Sequence, residues 1–119
     1  MKTTIYKIFT LECAHFLPAV PAGHPCARMH GHSFRVTVHL CGPVDPITGW
    51  IVDFGRVREA FEPIRCQLDH HTLNEIAGLE NPTSENLARF IYHQLKPDLP
   101  ALCRVEVGET CTAGAIVEA

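Results

Sequence analysis

The sequence predicts a single α+β domain, and three observations carry that prediction. Two long segments near the N-terminus alternate in hydrophobicity, the stretch between Val57 and Leu95 repeats its apolar residues at helical spacing, and alternation returns from Cys103. A chain of 119 residues with average apolar content buries one ordinary core, so residues 1–119 form one domain.

The first strand is expected over roughly Thr4 to His15, with Ile5, Phe9, Leu11, Cys13 and His15 on one parity. A second begins at His30 and carries His30, His32, Phe34, Val36, Val38 and Leu40 on one face. Pro43, Pro46 and Gly49 mark a turn-rich connection, after which Trp50 to Phe54 read as extended. Val57, Ala60, Phe61, Ile64 and Leu68 then define a helix that Pro63 should bend or divide, ending at Leu68-Asp69-His70-His71. A second helix starts near Thr83, a capping residue, with Glu85 in its first turn, buries Leu87, Phe90, Ile91 and Leu95, and stops at Pro97. A last strand places Cys103, Val105, Val107 and Glu109 on one parity, followed by a turn near Gly114 and a short strand through Ile116 and Val117.

The net charge of -3 and the scattering of Lys and Arg provide no electrostatic footprint for nucleic acid. Lys7, Glu12 and His15 interrupt the N-terminal apolar stretch before a signal-peptide core could form, and no apolar run approaches the ~20 residues of a membrane span. A cytoplasmic protein is expected. The chain has six cysteines but no Cys-x-x-Cys pair, which removes thioredoxin-like and zinc-ribbon readings. Cys41, Cys66 and Cys103, inside expected strands or a helix, read as small buried apolar residues.

His30 and His32 open the second strand side by side on an apolar face, and His15 ends the first strand in the same way. One such histidine is ordinarily a hydrogen-bonded core residue. A neighbouring pair is harder to satisfy by hydrogen bonds alone, and metal ligation answers it. Three neutral nitrogen ligands leave a fourth position open, the arrangement of catalytic rather than structural zinc.

Cys26 lies in the Pro18 to Arg28 loop, four positions before His30. Beside a cation its thiol is a general base or nucleophile, or else a fourth ligand that closes the site. Asp69 and His70 alone would be ordinary surface groups, but with Cys26 they suit a proton relay. Glu109, a carboxylate on an apolar parity, either leaves the sheet at its end into water or is held by a cationic or multi-donor partner such as an amino-pyrimidine edge.

In order and spacing, His15, Cys26 with His30-Gly31-His32, Leu68-Asp69-His70, the Glu80 to Glu85 segment and Glu109-Thr110 resemble the 6-pyruvoyl-tetrahydropterin synthase and 6-carboxy-tetrahydropterin synthase family over the whole chain. The Cys-x-x-x-His-Gly-His spacing and the Glu109-Thr110-Cys111-Thr112 ending resemble the carboxy branch. The resemblance implies the tunnelling fold, a four-stranded antiparallel sheet with two helices on one face, oligomerising into a β-barrel as a trimer or hexamer with active sites between subunits. It also implies conversion of 7,8-dihydroneopterin triphosphate to 6-carboxy-5,6,7,8-tetrahydropterin, acetaldehyde and triphosphate, a step toward queuosine. In that scheme Zn2+ is held by His15, His30 and His32, while Cys26, Asp69, His70 and Glu109 are catalytic and Glu109 also anchors the pterin. Arg28 and Lys7 are candidates for the triphosphate, and Gly108 departs from a larger residue common in related chains.

Triphosphate elimination to the pyruvoyl product is the alternative within the family, and a non-enzymatic metal-binding scaffold is the alternative outside it. A zinc hydrolase or deaminase is disfavoured, since His-Glu-x-x-His, His-x-Glu and Cys-x-x-Cys are all missing.

Overall fold

The computed structural model describes all 119 residues. Four strands form one antiparallel sheet in the order β1-β2-β3-β4, with β1 Thr4–His15, β2 His30–Cys41, β3 Leu102–Thr110 and β4 Ala113–Glu118. Helices α1 (Phe54–Leu68) and α2 (Ser84–Leu95) lie between β2 and β3 in sequence and cover one face of the sheet. The α+β class and the four-stranded, two-helix architecture are therefore as the sequence indicates.

The core follows from the two periodicities. Leu11, Phe34, Val36, Val38, Leu40, Val105 and Val107 from the sheet meet Val57, Phe61, Ile64, Leu68, Leu87, Ile91 and Leu95 from the helices, all buried. Phe9 of β1 stacks on Phe61 of α1 with ring centroids 3.9 Å apart and planes 9° from parallel, fixing the first helix against the edge strand. Asp53 caps α1 by accepting from the Gly55 N–H at 3.0 Å, and Thr83 caps α2 by accepting from the Asn86 N–H at 3.1 Å.

Several local expectations are corrected. Trp50 to Phe54 form no strand: Asp53 takes the capping role, and Phe54 begins α1. Pro63 does not divide the helix, because it faces solvent and its missing N–H leaves the buried side intact. Phe90 is only partly buried at the margin of the core. The final turn falls at Cys111 and Thr112, and Gly114 lies inside β4, where a side chain would collide with the backbone of Val107 and Gly108.

The cysteines also depart from expectation. Cys41 at the end of β2 and Cys103 at the start of β3 form a disulfide across the sheet, with Cα atoms 6.1 Å apart. Both strand ends sit on the face that the helices leave open, so these thiols are not core packing. Cys66 is exposed on α1, and the buried cysteine is Cys13, which is not among the three expected to be buried. Its Sγ approaches the Leu68 carbonyl at 3.2 Å, and burial, aided by Asp69 and Glu12, pushes its thiol up to about 12.

Because Phe61 is almost wholly buried and stacked, Phe61→Ala is expected to destabilise the protein by about 3–5 kcal/mol. Urea unfolding at fixed protein concentration checks it, and a loss below ~1 kcal/mol would contradict this account of how α1 is anchored.

Candidate metal centre and its surroundings

Antiparallel pairing sets the site. His15 stands directly opposite His30, and Cys13 stands opposite His32, so the last two core-facing positions of β1 meet the first two of β2. The three rings are mutually tilted, with centroids 4.5 Å apart for His15 and His30, 5.1 Å for His15 and His32, and 4.9 Å for His30 and His32. One ring nitrogen from each lies within 4.8 Å of the others. Gly31 between the two β2 ligands lies over the Cys13 carbonyl, where an added Cβ would still find ordinary contact distance. Its spacing role, which keeps His30 and His32 on one face, matters more than its lack of a side chain.

Two of the rings are held from behind. His15 Nδ1 donates to the Pro82 carbonyl at 2.8 Å, and His30 Nδ1 donates to the Arg28 carbonyl at 2.7 Å. A carbonyl can only accept, so each bond fixes the proton on Nδ1 and leaves Nε2 with a lone pair. The Nε2 atoms of His15 and His32 are buried and have no hydrogen-bond partner. Orphaned, convergent nitrogen acceptors in a buried setting are what a cation would satisfy, so the donor set fits a divalent metal. Burial holds His15 below the ordinary histidine range, with His30 and His32 acting in the same direction, although the Pro82 bond and Glu109 oppose them. A neutral, ligating imidazole is the result.

Glu109 at the end of β3 brings a carboxylate oxygen 3.5 Å from both His15 Nε2 and His32 Nε2. That is ion-pair distance without hydrogen-bond alignment, so these nitrogens still count as unpartnered. Of the two fates open to Glu109, the structure shows an intermediate one: the side chain is 29% exposed and lies against His15 and His32.

Cys26 sits half-buried in a single 3-10 turn, Pro25–Ala27. Its carbonyl accepts from the Leu17 N–H at 2.7 Å, which ties the loop to the strand end that carries His15. Asp69 and His70 lie elsewhere. After α1 the chain runs along the free edge of β1: His70 N–H donates to the Glu12 carbonyl at 2.6 Å, and Ala14 N–H donates to the His71 carbonyl at 3.1 Å. Asp69 accepts from the Glu12 N–H at 2.8 Å and from His70 Nδ1 at 3.0 Å. No hydrogen bond or ion pair links Asp69 or His70 to the histidine triad, and His70, in a left-handed conformation with φ 58°, extends a 77% exposed ring into solvent. Within one chain the structure thus joins His15, His30, His32 and Glu109, while Asp69 is tied to the β1 edge and the His70 ring projects into solvent.

Arg28 contributes its carbonyl, while its residue is exposed. Lys7 precedes His15 by eight residues on the same strand, roughly 26 Å away at ~3.3 Å per residue, with its Nζ over the Phe9 ring. It is therefore remote from this chain's triad. The carbonyls of Pro82 and Arg28 and the backbone of Glu12 were not foreseen from sequence, since main-chain groups leave no mark in residue identity.

Two outcomes are expected. His32→Ala, which removes one of three ligands, should abolish retention of a divalent ion through dialysis while the unsubstituted protein keeps one per chain, as read by elemental analysis. The Glu12 N–H, and after it His70, hold Asp69 below its ordinary value of 3.8. Stability from this group is therefore full above pH 3.8 and is lost as pH falls through the lower folded value. Metal-free Asp69→Asn should show a shallower loss of stability between pH 4 and 2 than the unsubstituted chain, measured by urea midpoints; equal slopes would contradict the assignment.

Comparison with known proteins gives the family and the fold. Residues 4–119 match the family model described as 6-pyruvoyl tetrahydropterin synthase. A Synechocystis protein named 6-carboxy-5,6,7,8-tetrahydropterin synthase is 41% identical over 117 residues, spanning 93% of this chain and 89% of the relative. A Pyrococcus furiosus protein named dihydroneopterin monophosphate aldolase is 33% identical over 73 residues, spanning 61% of this chain and 60% of that one. Among solved structures, Caenorhabditis elegans 6-pyruvoyl tetrahydropterin synthase superimposes with a TM-score of 0.92 at 22% identity, covering 100% of this chain and 96% of that one. The fold, the ordered motifs and the relatives together show that this chain belongs to the 6-pyruvoyl tetrahydropterin synthase family.

Proposed function

We propose that the protein is a zinc-dependent 6-carboxy-tetrahydropterin synthase that converts 7,8-dihydroneopterin triphosphate to 6-carboxy-5,6,7,8-tetrahydropterin, acetaldehyde and triphosphate, on the path to queuosine. The observation that carries this reading is the triad of His15, His30 and His32, with two rings locked by backbone carbonyls and unpartnered nitrogens converging. The 41% identity to the Synechocystis enzyme supports the carboxy product over the pyruvoyl one.

Zinc bound by three imidazoles would keep a position open for the side-chain hydroxyls of the pterin and make them more acidic. The protein's own groups do the rest. Cys26, tethered through Leu17 to the His15 strand end, accepts the proton from the substrate side chain. Glu109 anchors the amino-pyrimidine edge from the β3 end, where a carboxylate can accept two parallel N–H bonds. Asp69 orients His70 through its Nδ1, which suits a relay that gives and takes protons at the cleaving carbon–carbon bond. No hydrogen bond or ion pair ties this pair to its own triad, and the exposed His70 ring is free to serve the site of a neighbouring copy, so the working unit is a homo-oligomer, a trimer or hexamer, with shared sites. The reading places the enzyme in the cytoplasm.

The test is acetaldehyde release from dihydroneopterin triphosphate by zinc-loaded protein. Cys26→Ala should keep its metal while turnover falls by about 10²–10⁴-fold. Loss of metal in that variant would make the thiol a ligand instead of a base. Release of triphosphate without acetaldehyde would establish the pyruvoyl reaction, and binding of zinc with neither product would leave a metal-binding scaffold.

A further inference from the structure

Asn74 follows the edge-covering segment in a short 3-10 turn, Leu73–Glu75, and is partly buried. Its Oδ1 accepts from the Phe16 N–H at 3.0 Å while its Nδ2 donates to the Phe16 carbonyl at 2.8 Å, so one amide replaces a strand partner for the residue next to His15. The second Nδ2 proton points to the Glu80 carbonyl at 3.5 Å. Glu80 lies two residues before Pro82, whose carbonyl receives His15 Nδ1. One side chain thus grips both halves of the contact that orients His15: the strand end that bears the ring and the segment that supplies its acceptor.

From this geometry we infer that Asn74 is a positioning residue for the metal centre, holding His15 and the Pro82 carbonyl in register so that Nε2 of His15 presents its lone pair inward. The inference rests on the metal reading of the triad. Other contacts on the same segment are independent of Asn74. Asn86 Nδ2 donates to the Asn81 carbonyl at 2.8 Å from α2, so the 80–83 loop stays attached when Asn74 is lost and only its alignment with β1 is released. Aspartate cannot substitute, because it keeps an acceptor for the Phe16 N–H but sets a negative charge against two carbonyl oxygens.

The test uses Co2+ on the full chain, with affinity from chelator competition and coordination from the visible d–d spectrum. Asn74→Ala should weaken Co2+ binding by about 10–100-fold, the range for groups that orient metal-bound histidines, and should alter the spectrum. Ile91→Val, which thins the core under α2, should lower the unfolding temperature and leave Co2+ affinity within about twofold. Should Asn74→Ala fail to fold, Asn74→Asp gives the same reading. Unchanged affinity and spectrum in the folded Asn74 variant, or an equal loss of affinity in Ile91→Val, would overturn the inference while leaving the metal centre in place. An unsubstituted protein that binds no Co2+ would instead remove the metal reading and this inference with it.

Discussion

The register of β1 against β2 is the constraint on which the rest of the molecule depends. Ile5 opposite Leu40 at one end and His15 opposite His30 at the other are twelve-residue strands paired without interruption. A slip of one position would turn Leu11, Phe34 and Val36 outward along with the histidines. Core burial therefore enforces ligand geometry: the apolar contacts that stabilise the sheet also bring three imidazoles to one end of it. The energy that holds the site together is largely hydrophobic and is spent far from the chemistry.

Beyond the triad, the surroundings divide into two groups by the element that carries them. The loops before β2 and before α2 deliver main-chain carbonyls to the backs of His30 and His15, and β3 delivers Glu109 to His15 and His32. The segment after α1 satisfies β1's free edge near Glu12 and Ala14 and turns the His70 ring toward water.

Much of this was legible in the residues. Parity assigned His15, His30 and His32 to one face because strand alternation is strict, and helical spacing identified Val57, Ala60, Phe61, Ile64 and Leu68 as buried because α1 packs a single stripe. What alternation could not show was distance between segments far apart in sequence. Asp69 reads as a neighbour of Cys26 only if loops are imagined to converge, whereas the edge of β1 captures it instead through the Glu12 N–H. Trp50 to Phe54 has strand-like composition, yet the capping carboxylate of Asp53 decides the local structure. Cys41 and Cys103 each look like packing residues, and only the pairing of β2 with β3 reveals that they meet.

That cross-strand bond has a topological effect. The covalent ring it closes spans 62 residues of sequence separation and contains both helices, while His15, His30 and His32 all precede it. Opening the ring enlarges the unfolded ensemble, at a cost of about 4 kcal/mol on chain-entropy grounds, and loosens the return path of the chain from β2 to β3. The hairpin-like pair that carries the imidazoles stays outside the ring, so oxidation state bears on the persistence of the helical layer and leaves the connectivity among the ligands untouched.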